Sequence, residues 1–312
     1  MFRRIAAIGV SLALVILAAR VESAPAPHGE KPSRPLRVLL FASSATREYQ
    51  FLRSLLVRQS EAKHAELSIH LQPPPGKEKL RSGVIQDVPK ERLLETFPKR
   101  LDAYDAIVAF DPDWMRLTAE SRTALQEWVR KKGGGLVLIA GPINTLQLAR
   151  PVQQRKLAPI RDLYPVLPLD PHLLKIAIDT SKPRRLTFPR TKAKYPFLQL
   201  DSKGKGDLAG WPEFFREEKD LKKKASEPRH GFFSYSPVAS VKSDAIVLAT
   251  LADPKTRLKD GKAQPYIVAR QMDKGRVMYV GSGELWRLRL YRRDYYERFW
   301  LGLLAHLAAP RP

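Results

Sequence analysis

The stretch AYDAIVAFDPDWMRLTAESRTALQEWVRKKGGGLVLIAGPIN, residues 103–144, decides the fold. Its first apolar run, residues 106–110, does not alternate, which is typical of strands buried on both faces of a parallel sheet. Thr118 is placed to cap a helix whose apolar residues recur on one face. Glycines at 133–135 end that helix, and residues 136–140 predict the next buried strand. This strand, helix and strand predict a right-handed parallel crossover.

The flanking sequence continues the alternation of strands and helices. Residues 36–41 (LRVLLF) predict a first core strand, the following apolar spacing predicts a helix, and residues 67–71 predict a second strand. Near the other end, residues 276–280 and the strand before them predict an antiparallel hairpin, and residues 295–307 predict an amphipathic helix. The sequence therefore predicts an α/β fold: a flavodoxin-like, doubly wound, mainly parallel sheet with a C-terminal antiparallel hairpin plus helix.

Residues from about 151 to 240 interrupt this pattern. The segment is rich in proline and carries many aromatic residues, which need burial. We interpret it as an irregular insertion, with short helices, loops and a β-hairpin, inside one domain that spans residues 36–309.

The N-terminal sequence is typical of an export signal. Arg3 and Arg4 precede an apolar run of 15 residues, from Ile5 to Ala19, which is typical of a signal peptide and short for a membrane span. We predict that residues 1–23 are a signal peptide, that residues 24–35 are a linker, and that the rest is extracytoplasmic. An uncleaved anchor, which would associate the protein with the membrane, is the alternative.

Composition narrows the functional classes. The chain has no cysteine, which excludes disulfides, thiolate metal sites and cysteine nucleophiles. The formal net charge of +23 favours polyanions as partners. The export signal, the dispersed basic residues and the lack of a nucleic-acid-binding motif argue against nucleic acid. An anionic envelope polymer or lipid head groups remain as partners, and a simply solvated basic surface is the alternative.

Polar residues follow the predicted strands at the edge where α/β sheets bind ligands. Asp111 and Asp113 follow one strand and Asn144 follows the next; the two aspartates could bind a hard cation or cap local turns. The six histidines lack metal-ligand spacing, and no phosphate-binding or nucleophile-elbow motif is present. We therefore expect no metal and no cofactor.

A second group of candidate binding residues follows the last strand. The sequence GSGELWRLR, residues 281–289, places Glu284, Trp286, Arg287 and Arg289 at the same predicted edge. The arginines can pair with carboxylates of the protein or of a ligand. A binding site and an internal salt-bridge network that fixes the final helix are both consistent with this pattern.

Several blocks resemble the glutamine amidotransferase-like domain of bacterial envelope proteins and, more distantly, trehalose-utilisation-type proteins of the class I amidotransferase-like superfamily. The blocks are YDAIVAFDPDW, LTAESRTALQEWVRKKGGGLVLIAG, KGRVMYVGSGELWRLR and YYERFWLGLLAHL. The resemblance covers residues 36 to about 144 and 245–307. It implies the amidotransferase-like fold and, as a partner, an envelope protein with a von Willebrand factor A-type domain.

The chain departs from that family at the catalytic positions. The elbow that carries the family's cysteine falls at Gly141 and Pro142, and of the late histidine–glutamate pair only Glu284 matches. Without a nucleophile and a base, glutamine hydrolysis has no route. We therefore expect a non-catalytic exported domain that binds a partner protein or an envelope polymer. The alternative is a hydrolase or sugar-modifying enzyme that uses carboxylates at the strand ends.

Overall fold

The computed structural model describes residues 34–73, 90–170, 178–189, 195–216, 230–251, 253 and 256–308. The predicted signal peptide or anchor, residues 1–23, and all but the end of the predicted linker lie outside the described residues.

The described strands and helices alternate over the first half of the chain. The strands are β1 (Leu36–Ala42), β2 (Ala65–Leu71), β3 (Glu91–Leu93), β4 (Ala106–Phe110), β5 (Gly135–Ile139), β6 (Val166–Pro168), β7 (Leu186–Thr187), β8 (Val238–Val241), β9 (Ala245–Leu251), β10 (Gln264–Met272) and β11 (Gly275–Val280). The helices are α1 (Arg47–Glu61), α2 (Ala119–Glu127), α3 (Pro151–Gln154), α4 (Ala158–Leu163), α5 (Trp211–Phe214), α6 (Trp286–Tyr291) and α7 (Arg293–Ala308).

Nine of the described strands form one mixed sheet in the order β3-β2-β1-β4-β5-β11-β10-β9-β7. From β3 to β11 all neighbours are parallel, and β10, β9 and β7 continue the sheet with antiparallel pairs. The hairpin of β10 and β11 turns at Asp273, whose φ is +48°. The predicted fold class, a mainly parallel α/β sheet with a C-terminal antiparallel hairpin and helix, is confirmed.

The local sequence signals in residues 103–144 form the predicted helix cap and turn. The Thr118 hydroxyl accepts a hydrogen bond from the Ser121 N–H at 3.2 Å and caps α2. After α2, one wide helical turn over residues 128–132 ends at Gly133, which adopts the left-handed conformation with φ +87°. β5 then starts at Gly135 and pairs in parallel with β4.

Helices cover the sheet on both faces, as in a doubly wound fold. One apolar layer includes α1, α6 and α7, with Leu52, Trp300 and Leu303 fully buried. The other includes α2 and α4, with Leu125 and Ile160 fully buried. The insertion contributes to both layers, because α4 lies in the second and the aromatic residues of α5 lie in the first. Its large aromatic side chains are therefore core residues.

Strand pairing in the insertion differs from a hairpin. β6 and β8 pair antiparallel but come from opposite ends of the segment, so a long connection separates them. β7 instead joins the main sheet beside β9. Among the described residues of the insertion, the two paired strands are not adjacent in the sequence, so they do not form the expected local hairpin.

Candidate functional site

Asp111 is the centre of the loops that follow β4 and β5. Its carboxylate accepts hydrogen bonds from the backbone N–H groups of Ile143 (3.1 Å), Asn144 (3.1 Å) and Thr145 (2.6 Å), and from the Thr145 hydroxyl (2.7 Å). Burial raises the pKa of Asp111, and these hydrogen bonds oppose the rise. The carboxylate is therefore engaged in holding one loop against the other.

Asp113 and Asn144 have the same kind of local role. The Asp113 carboxylate accepts the N–H of Met115 at 3.1 Å and the side-chain amide of Gln147 at 2.9 Å. The Asn144 side-chain amide donates to the Asp111 carbonyl at 2.8 Å. We refer to Asp111, Asp113, Asn144 and Thr145 as the Asp111 cluster. Within the described part of the chain, no group of three acidic or histidine side chains is arranged to hold a metal ion.

Gly141, where the sequence resemblance places the amidotransferase elbow, lies beside this cluster. A Cβ atom at Gly141 would collide with the Asp111 carboxyl group, and the Gly141 N–H donates to the Thr145 hydroxyl at 3.0 Å. The space beside Gly141 is therefore filled by an acidic side chain that serves the loops.

Glu284 ties the loop after β11 to the insertion. Its carboxylate accepts the N–H groups of Phe233 at 2.6 Å and Ser234 at 3.2 Å, and it forms an ion pair with Arg287 at 3.3 Å. Among the described residues, Glu284 thus has partners different from those of Asp111 and Asp113. No described hydrogen bond or ion pair joins Glu284 to Asp111 or Asp113.

Trp286 lies between two arginines. The Arg47 guanidinium is 4.4 Å from the centroid of the Trp286 ring, and the Arg287 guanidinium is 4.5 Å from it. Arg287 also stacks on Phe233 at 4.2 Å. Such cation–π contacts hold the charged groups in place while they stay near the surface. Trp286 itself is buried beneath them, with 8% of its surface exposed.

Arg289 continues this arrangement along the surface. Its guanidinium lies 4.5 Å from the centroid of the half-buried Phe51 ring. Within the described ranges, neither Arg47 nor Arg289 forms an ion pair with a carboxylate. Of the candidate residues that follow β11, Glu284 and Arg287 thus contact each other. Arg289 lies against an aromatic ring and not against a carboxylate.

Glu48 supports Trp286 from below, and the sequence analysis did not identify it. The fully buried carboxylate accepts the N–H of Trp286 (2.6 Å), the hydroxyl of Tyr296 (2.9 Å) and the indole N–H of Trp300 (3.0 Å). Burial raises the pKa of Glu48 to about 7, against the effect of these hydrogen bonds. The signal in the sequence is its position on the same helical face as the apolar Leu52 and Leu55.

One cleft among the described residues lies at the opposite, amino edge of the sheet. It has a volume of about 570 Å³ and is lined by Arg34, Arg37, Asp105 and Lys132, among others. Arg34 and Arg37 pair with Asp105 at 2.7 and 2.9 Å. Burial favours a higher pKa for Asp105, but the two arginines outweigh it and hold the pKa below its usual value. Five basic and two acidic side chains line this cleft, so it also carries an excess of positive charge.

No protein family and no curated protein matches the sequence. Among the described residues, no helix has the length and apolar character that crossing a membrane requires.

Several solved structures match this chain at low sequence identity. Two cytoplasmic proteins of Salmonella typhimurium match with 16% and 14% identity and TM-scores of 0.47 and 0.49; each match covers 87% of this chain and 99% of the other. A ThuA-like protein from Bacteroides uniformis matches with 10% identity and a TM-score of 0.38, over 88% of this chain and 95% of the other. ThuA-like proteins have the amidotransferase-like fold implied by the sequence resemblance, but a likeness this low does not establish the family.

Proposed function

We propose that this chain is an exported, non-catalytic protein of the amidotransferase-like kind that binds an anionic polymer of the cell envelope. The observation that carries the proposal is the stack of Arg47, Trp286 and Arg287 at the carboxyl edge of the sheet. Planar guanidinium groups that are already held by aromatic rings bind phosphate or carboxylate groups at a lower entropic cost.

The alternative of a carboxylate-based hydrolase is less favoured by the same edge. Such an enzyme needs two carboxyl groups that face a common substrate. Asp111 accepts hydrogen bonds from the loop after β5, whereas Glu284 accepts them from the insertion. Glutamine hydrolysis is disfavoured by the lack of cysteine and by the Asp111 side chain beside Gly141.

The binding proposal can be tested with a small anion. Inorganic tripolyphosphate should bind the purified protein, and Arg47→Gln should lower its affinity about threefold to fivefold, the contribution of one exposed charge contact. Arg100→Gln is the matched control, because it removes an exposed arginine outside the site. Equal affinities for the wild type and both variants would contradict the proposed site. Binding of an acidic partner protein but of no polymer would favour a protein partner, such as one with a von Willebrand factor A-type domain.

The other parts of the proposal have separate tests. Alkaline phosphatase fused after Pro35 should be active if the N-terminal segment directs export, and an inactive fusion with soluble protein in the cytosol would contradict it. The purified protein should release no ammonia from glutamine above a buffer blank.

A further inference from the structure

The arginines around Trp286 continue along one side of α1. Arg47, Phe51, Ser54 and Arg58 follow one another at intervals of three or four residues, so they lie on the same helical face. From Arg47 to Arg58 this face is about 16 Å long at the rise of an α-helix. α6 and α7 run beside it and contribute arginines of their own.

The far end of this face has more positive than negative charge. Arg58 and Arg293 donate to the same oxygen of Glu297, at 2.6 and 2.7 Å. Burial lowers the pKa of Arg58; Glu297 opposes this effect, and the nearby charges of Arg293 and Arg289 add to it. Two arginines that share one carboxylate leave an excess of positive charge at this end.

The middle of the face connects the two ends. Arg289 lies over Phe51, one helical turn after Arg47 on α1. Arg47, Arg58, Arg287, Arg289 and Arg293 therefore form a continuous group, which we call the arginine track. The carboxylates that pair with its members are Glu284 and Glu297, and Glu284 is also engaged by the backbone of the insertion. Glu48 is buried beneath Trp286 and accepts hydrogen bonds from Trp286, Tyr296 and Trp300. Five arginines against two carboxylates repel one another unless a ligand supplies negative charge.

We infer that the arginine track binds a linear polyanion along α1, so that several phosphate or carboxylate groups of one polymer bind at once. This inference rests on the proposed function, because it extends the site at Trp286 into a track. A single small anion reaches one or two guanidinium groups, whereas a polymer gains from each additional contact on the same molecule. A lipid surface fits less well, because Phe51 and Trp286 lie beneath guanidinium groups and offer little apolar area for insertion.

The test compares long-chain inorganic polyphosphate with tripolyphosphate, using the purified protein and titration calorimetry. The long chain should bind about a hundredfold more tightly. The double variant Arg289→Gln/Arg293→Gln should reduce that affinity about tenfold and the slope of log affinity against log salt by about two, one for each arginine. Tripolyphosphate affinity should change less than about twofold, because Arg47 and Arg287 remain. Glu297 keeps Arg58 as its partner in this variant.

The matched control is Arg100→Gln/Lys131→Gln, which removes two exposed charges elsewhere. Both double variants should melt at the wild-type temperature, which separates lost binding from lost folding. The inference is overturned if the two variants bind long polyphosphate equally well, or if the long chain binds no better than tripolyphosphate. In either case tripolyphosphate binding that depends on Arg47 would leave the proposed function standing.

Two further probes define the ligand. Binding of poly-L-glutamate with the same dependence on Arg289 and Arg293 supports a polymer of carboxylates, and preference for polyphosphate supports a polymer of phosphates. Vesicles of anionic phospholipid that bind more tightly than either polymer would overturn the linear ligand in favour of a membrane surface.

Discussion

The Asp111 cluster and the Trp286 end of the arginine track both lie at the carboxyl edge of the sheet, but their charged groups have different kinds of partner. In the Asp111 cluster, the half-buried carboxylate accepts hydrogen bonds from four groups of its own chain. In the arginine track, Arg47 and Arg289 lie on aromatic rings and have no acidic partner among the described residues. A polar group whose bonds are completed internally stabilises the fold, whereas a held but unbalanced charge is available to a ligand. Asp111 therefore stabilises the fold, whereas Arg47 and Arg289 are the candidates for binding a ligand.

The largest expected effect lies in the Asp111 cluster. Asp111→Ala should lower the free energy of unfolding by about 3–5 kcal/mol, because several loop N–H groups lose their acceptor and alanine is strained at the φ of +40° found here. Asp113→Ala, which removes the cap of one short turn, should cost only about 0.5–2 kcal/mol. Urea unfolding of both variants measures the difference. Equal, small losses would mean that the cluster is not structural.

The next effect concerns Glu48, whose carboxylate accepts a hydrogen bond from the Trp286 N–H. Its folded-state pKa of about 7 lies above the ordinary value of 4.5, so the folded state holds this proton more tightly than the unfolded state. The stabilisation is complete below pH 4.5 and is lost as the pH rises to about 7. Over this window wild-type stability should fall by about 3 kcal/mol relative to Glu48→Gln, which has no charge to bury.

Urea unfolding of the wild type and Glu48→Gln at several pH values from 4.5 to 8 measures that difference. Because the other titrating groups are common to both proteins, their contributions largely cancel. A difference that is constant, or that rises with pH, would mean that the hydrogen bonds from Trp286, Tyr296 and Trp300 outweigh burial.

A smaller effect on stability is expected at Glu284, which shares features of both regions. It accepts backbone N–H groups like Asp111, but it also belongs to the track through Arg287. Glu284→Gln should lower stability by about 1–3 kcal/mol, because a charged hydrogen-bond acceptor is lost. Thermal melting and urea unfolding check this. Unchanged melting together with lost tripolyphosphate binding would instead assign Glu284 to the ligand.

The smallest effect on stability is expected at Arg47. The residue is exposed, and its described contact is the stack on Trp286. Arg47→Gln should change the free energy of unfolding by less than about 0.5 kcal/mol, as is usual for surface substitutions. A loss above 2 kcal/mol would erase the contrast with Asp111, because the arginines would then also be structural. Melting curves of the variant and of Arg100→Gln provide the comparison.

The sequence predicted the sheet better than it predicted the site. Thr118, Gly133 and the apolar runs are local signals, and local geometry decides what they form. The place of β11 beside β5, and the pairing of β6 with β8, depend on contacts between distant segments that no periodicity records. At the proposed site, the residues predicted from the sequence include Trp286 and Arg287 but not Arg47, because a basic residue at the start of an exposed helix looks like ordinary surface. Glu48 had a signal, since a carboxylate in an apolar stripe is unusual.

The two halves of the sheet are joined by β11, which is the last of the described strands in chain order. β11 lies between β5 and β10, so it alone bridges the parallel half of the sheet and the antiparallel half. During synthesis from the N-terminus, the open side of β5 has no neighbour until β11 emerges. The two halves cannot close earlier, and pairing over such distances in sequence is slow. The order of the strands thus makes completion of the sheet wait until nearly all of its described strands have been made.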